Sequence, residues 1–446
     1  MGRAPGMMRT AALQGMDGRS LRLGGNVAAG VGTRLAAFVS LVLATPLVLA
    51  SLGLEQFGLW AVAGTLTLGY SLFDFGLGLA VVGRVAEAHG RGDTGAATRS
   101  VATSLPGLTL AGAAMAGAIG LGLPAAAAYL PAGGQEAVAQ LPATLPWIAL
   151  AAGLTLPLSL VERVQAGTGQ EWIAQAWRGA GHLATLVWMA ACSWAGLGLG
   201  AFVLGLFVPL AAALALNAAW FFLGPGSALA PWRGRIDLAE ARALVVAGGA
   251  FAVLHGALAL AWRGNVAIVL LRLGPEAAGL FGLLERLTAL VFVPLAVALA
   301  PAWPLARAAL AGADGAWVRR VMPRLGLALG AFGAAGGVAL VAMYRPVTAL
   351  WLGEALAVAP ALVALAVGWR LCEIATAWLS SLMTAQGEIL RQAAWLGTAG
   401  AAGLAAKLVL LPQGIGWIYL VSVLTVSAGF LLPGALHALP RMRAAP

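Results

Sequence analysis

The chain has 446 residues, of which 61% are hydrophobic and only 9% are charged. Soluble proteins carry about 25% charged residues, so this composition excludes a soluble enzyme, a nucleic-acid-binding domain and a disordered chain. The formal net charge of +10 therefore needs an explanation other than nucleic acid. The two cysteines, Cys192 and Cys372, lie in apolar stretches, which predicts neither a disulfide framework nor a metal site.

Long apolar segments recur along the whole chain. A membrane-spanning helix needs about 20 mostly apolar residues, because the hydrocarbon core is about 30 Å thick and a helix rises about 1.5 Å per residue. We expect an all-α membrane protein with about 12 transmembrane helices in two six-helix lobes, and with both termini in the cytoplasm. The predicted spans are residues 24–50, 57–82, 101–129, 143–161, 179–196, 200–223, 243–271, 279–305, 325–344, 356–380, 394–411 and 415–437.

Basic residues support this topology, because they concentrate on the cytoplasmic side of membrane proteins. With the N-terminus inside, nineteen of the 26 basic residues fall in cytoplasmic segments. The opposite loops hold only Arg272 and Arg345. The positive charge is thus mostly a topology signal. No connecting segment is long enough for a folded domain of typical size, so any chemistry is expected between the helices.

A short repeat divides the chain into two halves. Behind the first span, five residue identities recur at an offset of 221 positions. Leu52, Gly53, Glu55, Gly58 and Leu59 correspond to Leu273, Gly274, Glu276, Gly279 and Leu280. This placement predicts two parallel repeats with a substrate path between them. The first 20 residues contain no long apolar run and are not expected to be a signal peptide. The predicted organisation is a cytoplasmic lead-in at 1–23, an N-lobe at 24–223, a cytoplasmic linker at 224–242, a C-lobe at 243–437 and a cytoplasmic tail at 438–446.

The same motifs carry a family resemblance. Residues 52–60 (LGLEQFGLW), 73–78 (FDFGLG) running into 87–93, 265–284 and 350–354 (LWLGE) resemble the Wzx-type O-antigen flippases, the polysaccharide-export branch of the multidrug/oligosaccharidyl-lipid/polysaccharide (MOP) flippase superfamily. The resemblance covers nearly the whole chain and specifies the family better than the cargo. Relatives often carry an aspartate where this chain has Asn265, which puts an ion-coupling role there in doubt.

The resemblance implies a transporter in the bacterial inner membrane. It would flip a polyprenyl-diphosphate-linked oligosaccharide from the cytoplasmic to the periplasmic leaflet by alternating access, alongside a glycan polymerase or other assembly proteins. The sequence has no phosphate-binding loop of the Walker type. Transport is therefore expected to be driven by an ion gradient and to need no cofactor.

Eight nominally charged side chains fall inside the predicted spans. Each would cost about 2.5 to 3.5 kcal/mol at the bilayer centre, so we expect them to face an interior cavity or to pair with one another. They are Arg34, Asp74, Arg263, Glu285, Arg286, Arg370, Glu373 and Lys407. The set has an excess of two positive charges, and arginine offers a phosphate a planar fork of donors.

The candidates for a diphosphate site are Arg34, His255, Arg263 and Arg370. Arg34 is predicted to lie about 16 Å deep in the first span, and the repeat offset pairs it with His255 in the other lobe. Arg263 lies eight residues beyond His255, so it can line the same cavity nearer the periplasm. Structural alternatives are a bond from Arg34 to Asn26 or to a backbone carbonyl, a neutral His255 in the core, and an Arg263 that snorkels to the outer interface.

Two carboxylates are candidates for ion coupling, Glu373 and Asp74. Glu373 is the stronger one because it lies near mid-span, although Arg370, three residues before it, favours an ion pair within one helix. For Asp74 the structural interpretation is preferred: it holds the end of a helix or pairs with Arg84. Lys407 lies near the outer end of its span and is expected to snorkel toward the interface.

Two other functions stay open. A cation-coupled multidrug exporter of the same superfamily would need an anionic cavity, which the basic excess argues against. A membrane-embedded glycosyltransferase or phosphotransferase acting on polyprenyl carriers would need carboxylates or histidines gathered at a membrane face. The sequence offers no segment with such a cluster, so the protein is not expected to be an enzyme.

Overall fold

The computed structural model describes residues 18–68, 73–127, 135–136, 139, 141–258, 264–300, 302–311, 315–410 and 414–444. Within these residues the regular secondary structure is entirely helical. Nine helical segments of this part of the chain are long and apolar enough to cross a membrane. The chain is a multi-pass membrane protein, as its composition predicts.

The described part of the first half forms eight helices and two short 3₁₀ turns. The helices are α1 (Gly18–Leu68), α2 (Leu77–Gly90), α3 (Thr94–Gly120), α4 (Gly122–Ala127), α5 (Leu145–Leu158), α6 (Leu160–Gly167), α7 (Glu171–Trp194) and α8 (Leu199–Leu223). The 3₁₀ turns, Ser227–Leu229 and Pro231–Arg233, belong to the predicted linker.

The described part of the second half forms nine α-helices. They are α9 (Leu238–Leu258), α10 (Asn265–Leu273), α11 (Pro275–Leu299), α12 (Ala302–Ala311), α13 (Gly315–Leu352), α14 (Pro360–Ala385), α15 (Ile389–Leu410), α16 (Gly416–Val426) and α17 (Leu432–Ala444). Every predicted span overlaps one of the seventeen helices or two consecutive ones. Three predicted spans have no apolar segment of their own among the nine: 57–82 in the second half of α1, 179–196 in α7, and 243–271 in α9 and α10. The count of twelve therefore stays a prediction.

Two glycines of the sequence repeat break the chain at equivalent places. Gly53 interrupts α1 with φ 75° and ψ 171°, and Gly274 separates α10 from α11 with φ 91° and ψ 177°. Glycine tolerates a positive φ because it has no Cβ atom. The first residues of α3 and α13, Thr94 and Gly315, are also 221 positions apart. The backbone therefore repeats at the offset seen in the sequence.

The two lobes touch through a second pair of repeated glycines. A Cβ atom on Gly58 would lie 2.1 Å from the carbonyl oxygen of Pro275, and one on Gly279 would lie 2.2 Å from the carbonyl oxygen of Leu54. The backbones of α1 and α11 are thus in direct contact, as small residues permit in membrane helices. We call Gly58 and Gly279 the glycine contact.

At the linker end of the molecule the lobes meet again, between α2 and α9. A Cβ atom on Gly76 would lie 2.1 Å from the carbonyl oxygen of Gly248. Nearby, Arg84 Nε donates a hydrogen bond of 2.9 Å to Glu240 Oε1. Ser100 Oγ donates to the same carboxylate oxygen at 2.5 Å. An ion pair therefore joins the N-lobe to the start of α9, where the linker ends.

Within each lobe, polar bonds join the first predicted span to the fifth. In the N-lobe, Ser40 Oγ donates to the backbone oxygen of His182 at 2.9 Å. In the C-lobe, Lys407 Nζ donates to Asn265 Oδ1 at 2.7 Å. The two residues of each pair are 142 positions apart, so the packing of helices repeats along with the backbone.

Candidate functional site

A cavity of about 600 Å³ lies between the two lobes. The N-lobe wall comes from α1, α7 and α8, and the C-lobe wall comes from α10, α11 and α14. The polar and aromatic lining residues are Ser40, Trp60, Thr65, His182 and Thr185 from the N-lobe, and Asn265, Phe281, Glu285, Arg286, Arg370 and Glu373 from the C-lobe. We call this space the central cavity.

One part of the C-lobe wall is an ion triad centred on Arg370. Its Nη2 atom lies 2.8 Å from Glu285 Oε2, and its Nη1 atom lies 2.6 Å from Glu373 Oε2. Arg370 Nε also donates to Thr288 Oγ1 at 3.0 Å. The predicted ion pair of Arg370 with Glu373 is confirmed, and Glu285 is a further partner that the sequence did not predict. With both carboxylates ionised, the triad carries one net negative charge.

The neighbouring Arg286 adds a cation that forms no ion pair within the described part of the chain, although the adjacent Glu285 attracts it at longer range. Its guanidinium carbon lies 4.9 Å from the ring centroids of both Phe57 and Trp60. Its Nη1 atom donates to the backbone oxygen of Gly282 at 3.0 Å, and its buried Nε atom has no hydrogen-bond partner. Arginine stacks readily on aromatic faces, so the two rings of α1 hold this cation against the cavity.

Lys407 and Asn265 form a separate polar pair in the C-lobe. The Lys407 side chain is 1% exposed and the Asn265 side chain 4% exposed, and Asn265 borders the central cavity. The prediction that Lys407 snorkels to the outer interface was wrong. Packing of α15 against α10 turns the lysine inward, where Asn265 Oδ1 accepts a hydrogen bond from its Nζ atom.

The other predicted diphosphate residues are less well placed by the structure. Arg34 is exposed on α1 and has no hydrogen bond or ion pair to a described residue. It precedes Ala37 by three residues and Leu41 by seven, which puts it on the helix face that lines the central cavity. Arg263 and the side chain of His255 lie outside the described part of the structure.

Asp74 has a structural role at the start of α2. Gly76 N donates to Asp74 Oδ1 at 2.7 Å, and Arg163 Nη2 lies 3.4 Å from Asp74 Oδ2. The predicted pairing of Asp74 with Arg84 was wrong, because Arg84 forms its ion pair with Glu240 at the start of α9. Asp74 does not line the central cavity, and ion coupling through it stays untested.

The sequence could have pointed to Arg286 more strongly than it did. Glu285 and Arg286 are adjacent, so helical geometry aims them about 100° apart, yet both line the central cavity. The signal lay in α1, where Phe57 and Trp60 are three residues apart and lie within the motif of residues 52–60. Among the residues that the structure describes, no three His, Cys, Asp or Glu side chains are placed to hold a metal ion.

No family model and no curated protein matches the chain. Solved structures do match it over almost its full length. An inward-facing multidrug resistance MATE family transporter of the MOP superfamily shares 14% identity and a TM-score of 0.74, covering 97% of this chain and 96% of the other. The outward-facing conformation of such a transporter shares 13% identity and a TM-score of 0.65, covering 96% and 99%.

A third match is a MOP superfamily transporter from Pyrococcus furiosus Vc1 whose description states that reverse polarity of its binding pocket suggests a different function. It shares 14% identity and a TM-score of 0.63, covering 96% of this chain and 99% of the other. At such identities these likenesses establish the fold, so the chain has the fold of MATE family transporters of the MOP superfamily. The backbone agrees better with the inward-facing conformation than with the outward-facing one.

Proposed function

We propose that the chain is an alternating-access membrane transporter of the MOP type that exports an amphipathic anion. The observation that carries the proposal is Arg286, a cation that lines the central cavity and forms no ion pair with a described residue. Two of the three structures named above are described as multidrug resistance transporters and none as an enzyme, so a transferase finds no support among them.

The two aromatic rings beside Arg286 favour an anion over an organic cation at that part of the central cavity. Organic cations bind in proteins against aromatic faces. Here the faces of Phe57 and Trp60 are already covered by the guanidinium of Arg286. A cationic substrate would meet like charge at that place, whereas a phosphate or diphosphate would meet a planar fork of donors.

A lipid-linked oligosaccharide is the specific cargo that we propose. The resemblance of the repeat motifs to Wzx-type flippases supports it. The diphosphate would bind at Arg286, the sugars would contact the hydroxyl groups and His182 of the N-lobe wall, and the polyprenyl chain would stay in the lipid. The bacterial inner membrane, a glycan polymerase and other assembly proteins as partners belong to the same proposal.

The membrane potential suits the outward transport of such an anion. Moving one elementary charge through 100 mV is worth about 2.3 kcal/mol, and the cytoplasmic side is the negative one. The ionised triad and Arg286 together carry no net charge, so these four side chains would not oppose the outward movement of an anion. Coupling to protons through Glu373 would add to this driving force, and we keep that role as a proposal.

Export of organic cations is a second candidate function. The likeness to multidrug resistance MATE structures favours it, and so does the presence of Glu285 and Glu373 in the cavity wall. In that mechanism a cation and a proton would compete for the carboxylates, and an inward proton gradient would drive export. The two candidates therefore differ in their driving force as well as in the charge of the substrate.

Leaflet-resolved transport in proteoliposomes tests the proposal. The substrate is a fluorescent polyprenyl-diphosphate oligosaccharide, and a membrane-impermeant quencher reports the leaflet that it occupies. Arg286→Gln removes the charge and keeps a polar, though shorter, side chain, and we expect transport to fall by about 30-fold or more, as for the loss of a buried charged contact. A potential negative on the substrate-donor side should accelerate wild-type transport.

The matched control is Arg345→Gln, because Arg345 also lies over an aromatic ring, that of Tyr344, at 6.0 Å, but does not line the central cavity. It should transport normally. Normal transport by Arg286→Gln would remove the proposed site. A wild-type protein that moves a cationic dye with a pH gradient, and leaves the lipid-linked substrate in place, would establish the second candidate instead.

A further inference from the structure

A second large cavity, of about 770 Å³, lies at the linker end of the molecule, between the start of α3 and the linker. Its walls include Thr94, Gly95 and Arg99 from α3, and Arg233, Arg235 and Asp237 from the linker. We call it the linker cavity. It is separate from the central cavity, because the two share no lining residue.

The charges on the linker cavity are strongly unbalanced. Arg99, Arg233 and Arg235 are exposed, and none of them has an ion pair with a described carboxylate. Asp237 is the one acid among the described lining residues, and it is already engaged, since its Oδ1 atom accepts from the backbone N–H of Ala239 at 2.8 Å and so caps the start of α9. The walls therefore carry a net charge of +2 and offer three guanidinium groups to an anion.

The linker places apolar side chains beside these arginines. Trp232, Ile236 and Leu238 are 63%, 66% and 85% exposed. Tryptophan is enriched at membrane interfaces, and basic residues near the cytoplasmic surface are attracted to anionic lipids. A segment that exposes apolar and basic side chains in alternation is suited to the boundary between headgroups and acyl chains.

The linker is fixed in position and is not a loose connection. Thr98 Oγ1 of α3 donates to the backbone oxygen of Ala228 at 3.0 Å, and Asp237 N donates to Thr103 Oγ1 at 3.0 Å. A Cβ atom on Gly234 would lie 2.5 Å from the backbone oxygen of Thr98. The arginines of the linker are therefore held against α3, and a ligand does not have to order the segment first.

We propose that the linker cavity binds the headgroup phosphate of an anionic membrane phospholipid. The phosphate lies among Arg99, Arg233 and Arg235, and the acyl chains lie beside Trp232 and Ile236. A lipid is favoured over free phosphate because the exposed apolar side chains give the chains a place to lie. The inference is independent of the cargo proposed for the central cavity.

The C-lobe supplies a matched control for the test. Arg320 on α13 is the repeat equivalent of Arg99, 221 positions later. Arg320 and Arg324 are exposed, as Arg233 and Arg235 are, but they line neither cavity. The variant Arg233→Gln with Arg235→Gln and the control Arg320→Gln with Arg324→Gln thus lose the same charge.

The experiment is native mass spectrometry of the full-length protein in detergent, titrated with phosphatidylglycerol or phosphatidylcholine. We expect phosphatidylglycerol to bind the wild type, and its affinity to fall by about 30-fold in the linker variant, the product of about five-fold for each arginine near a membrane surface. The control pair should bind nearly as the wild type does. Elution as a single species in size exclusion verifies that both variants are folded.

Three results would overturn the proposal. Equal losses in the linker variant and in the control would mean that total charge, and not the linker cavity, governs binding. Equal binding of phosphatidylcholine would show that the headgroup charge is not recognised. Displacement of phosphatidylglycerol by millimolar inorganic phosphate would identify a site for the free anion instead of a lipid.

Discussion

The two lobes have similar backbones but give the central cavity different walls. Within the described part of the chain, the formally charged lining residues are Glu285, Arg286, Arg370 and Glu373, all from the C-lobe. The N-lobe positions 221 residues earlier hold Gly64, Thr65, Ala149 and Ala152. Among the lining residues that the structure describes, those of the N-lobe wall are hydroxyl-bearing, aromatic or apolar, with His182 as the one titratable side chain.

This difference separates what the repeat preserves from what it varies. Helix ends, glycine breaks and close contacts recur, because they determine how the lobes pack. The ionised groups do not recur, as the proposed substrate with a charged head and a neutral body would require of two unlike surfaces. The C-lobe wall would then hold the head and the N-lobe wall the body, and the variants below are designed to weaken or remove that distinction.

The largest expected effect comes from removing the centre of the ion triad. Arg370→Leu leaves Glu285 and Glu373 without their shared counter-charge in a low-dielectric site. Removing one partner of a buried ion pair costs about 3–5 kcal/mol. We expect the free energy of unfolding, measured with denaturant in detergent micelles, to fall by about that amount.

A triple variant that removes all three charges of the triad is the control for Arg370→Leu. Adding Glu285→Gln and Glu373→Gln to Arg370→Leu removes the unpaired charges and makes this wall resemble the uncharged N-lobe wall. Most of the lost stability should return, because well-packed neutral groups often replace a buried ion pair without cost. A triple variant as unstable as the single one would show that packing of Arg370, and not charge balance, stabilises the wall.

Substitutions at the glycine contact test whether the close packing that recurs in both lobes contributes equally from each lobe. Gly58→Ala places a methyl group 2.1 Å from the carbonyl oxygen of Pro275, and the backbones of α1 and α11 must separate. Overpacking of this kind costs about 1–3 kcal/mol, and the equivalent change Gly279→Ala should cost a similar amount. Gly330→Ala is the control, since a Cβ atom there meets no atom within 4 Å. Unequal losses at the two positions would mean that the contact is not symmetric.

The sequence was sufficient for the scaffold and insufficient for the site. Apolar segments and the offset of the glycine motif predicted where helices lie, because both are local properties. Spacing of three residues predicted the pair of Arg370 with Glu373. The partner Glu285, 85 positions away, meets Arg370 only after α11 and α14 pack together. For the same reason, the inward position of Lys407 depends on a helix 142 positions distant.

A buried amide pair allows a finer comparison of the lobes. In the N-lobe, Gln165 Nε2 donates to Asn217 Oδ1 at 2.7 Å. At the equivalent C-lobe positions, Gln386 Nε2 donates to the backbone oxygen of Ala438 at 3.1 Å. Asn217→Ala gives the N-lobe pair the same residue types as the C-lobe pair, because Ala438 is the repeat equivalent of Asn217. The free energy of unfolding should fall by only about 1 kcal/mol, because Gln165 can then bond to the backbone as its counterpart does.

Gln165→Leu is the companion variant. It leaves the amide of Asn217 buried without its partner, and it should therefore cost more than Asn217→Ala does, about 1–3 kcal/mol. If Asn217→Ala proves the more damaging of the two, Gln165 does not find the backbone acceptor, and the lobes differ in local backbone as well as in side chains.

The smallest expected effect concerns the ion pair of Arg84 with Glu240, at the linker end. The hydrogen bond from Arg84 holds the pKa of the Glu240 carboxyl below its usual range. A carboxyl with a lowered folded-state pKa contributes stability that is present above about pH 4.3, the unfolded value, and is lost as the pH falls through the folded value. Since Arg84 is 41% exposed, solvent screening limits the contribution to about 0.5 kcal/mol.

Comparing the wild type with Glu240→Gln from pH 7 to pH 3 measures this contribution. The difference in unfolding free energy should stay constant down to about pH 4.3 and shrink below it, because acid neutralises Glu240 in the wild type and leaves the glutamine unchanged. Glu87→Gln, at an exposed neighbour of Arg84, should show a smaller difference. If the difference in unfolding free energy instead widens in acid, Glu240 is protonated in the native state. A hydrogen bond without an ion pair would then join Arg84 to the start of α9.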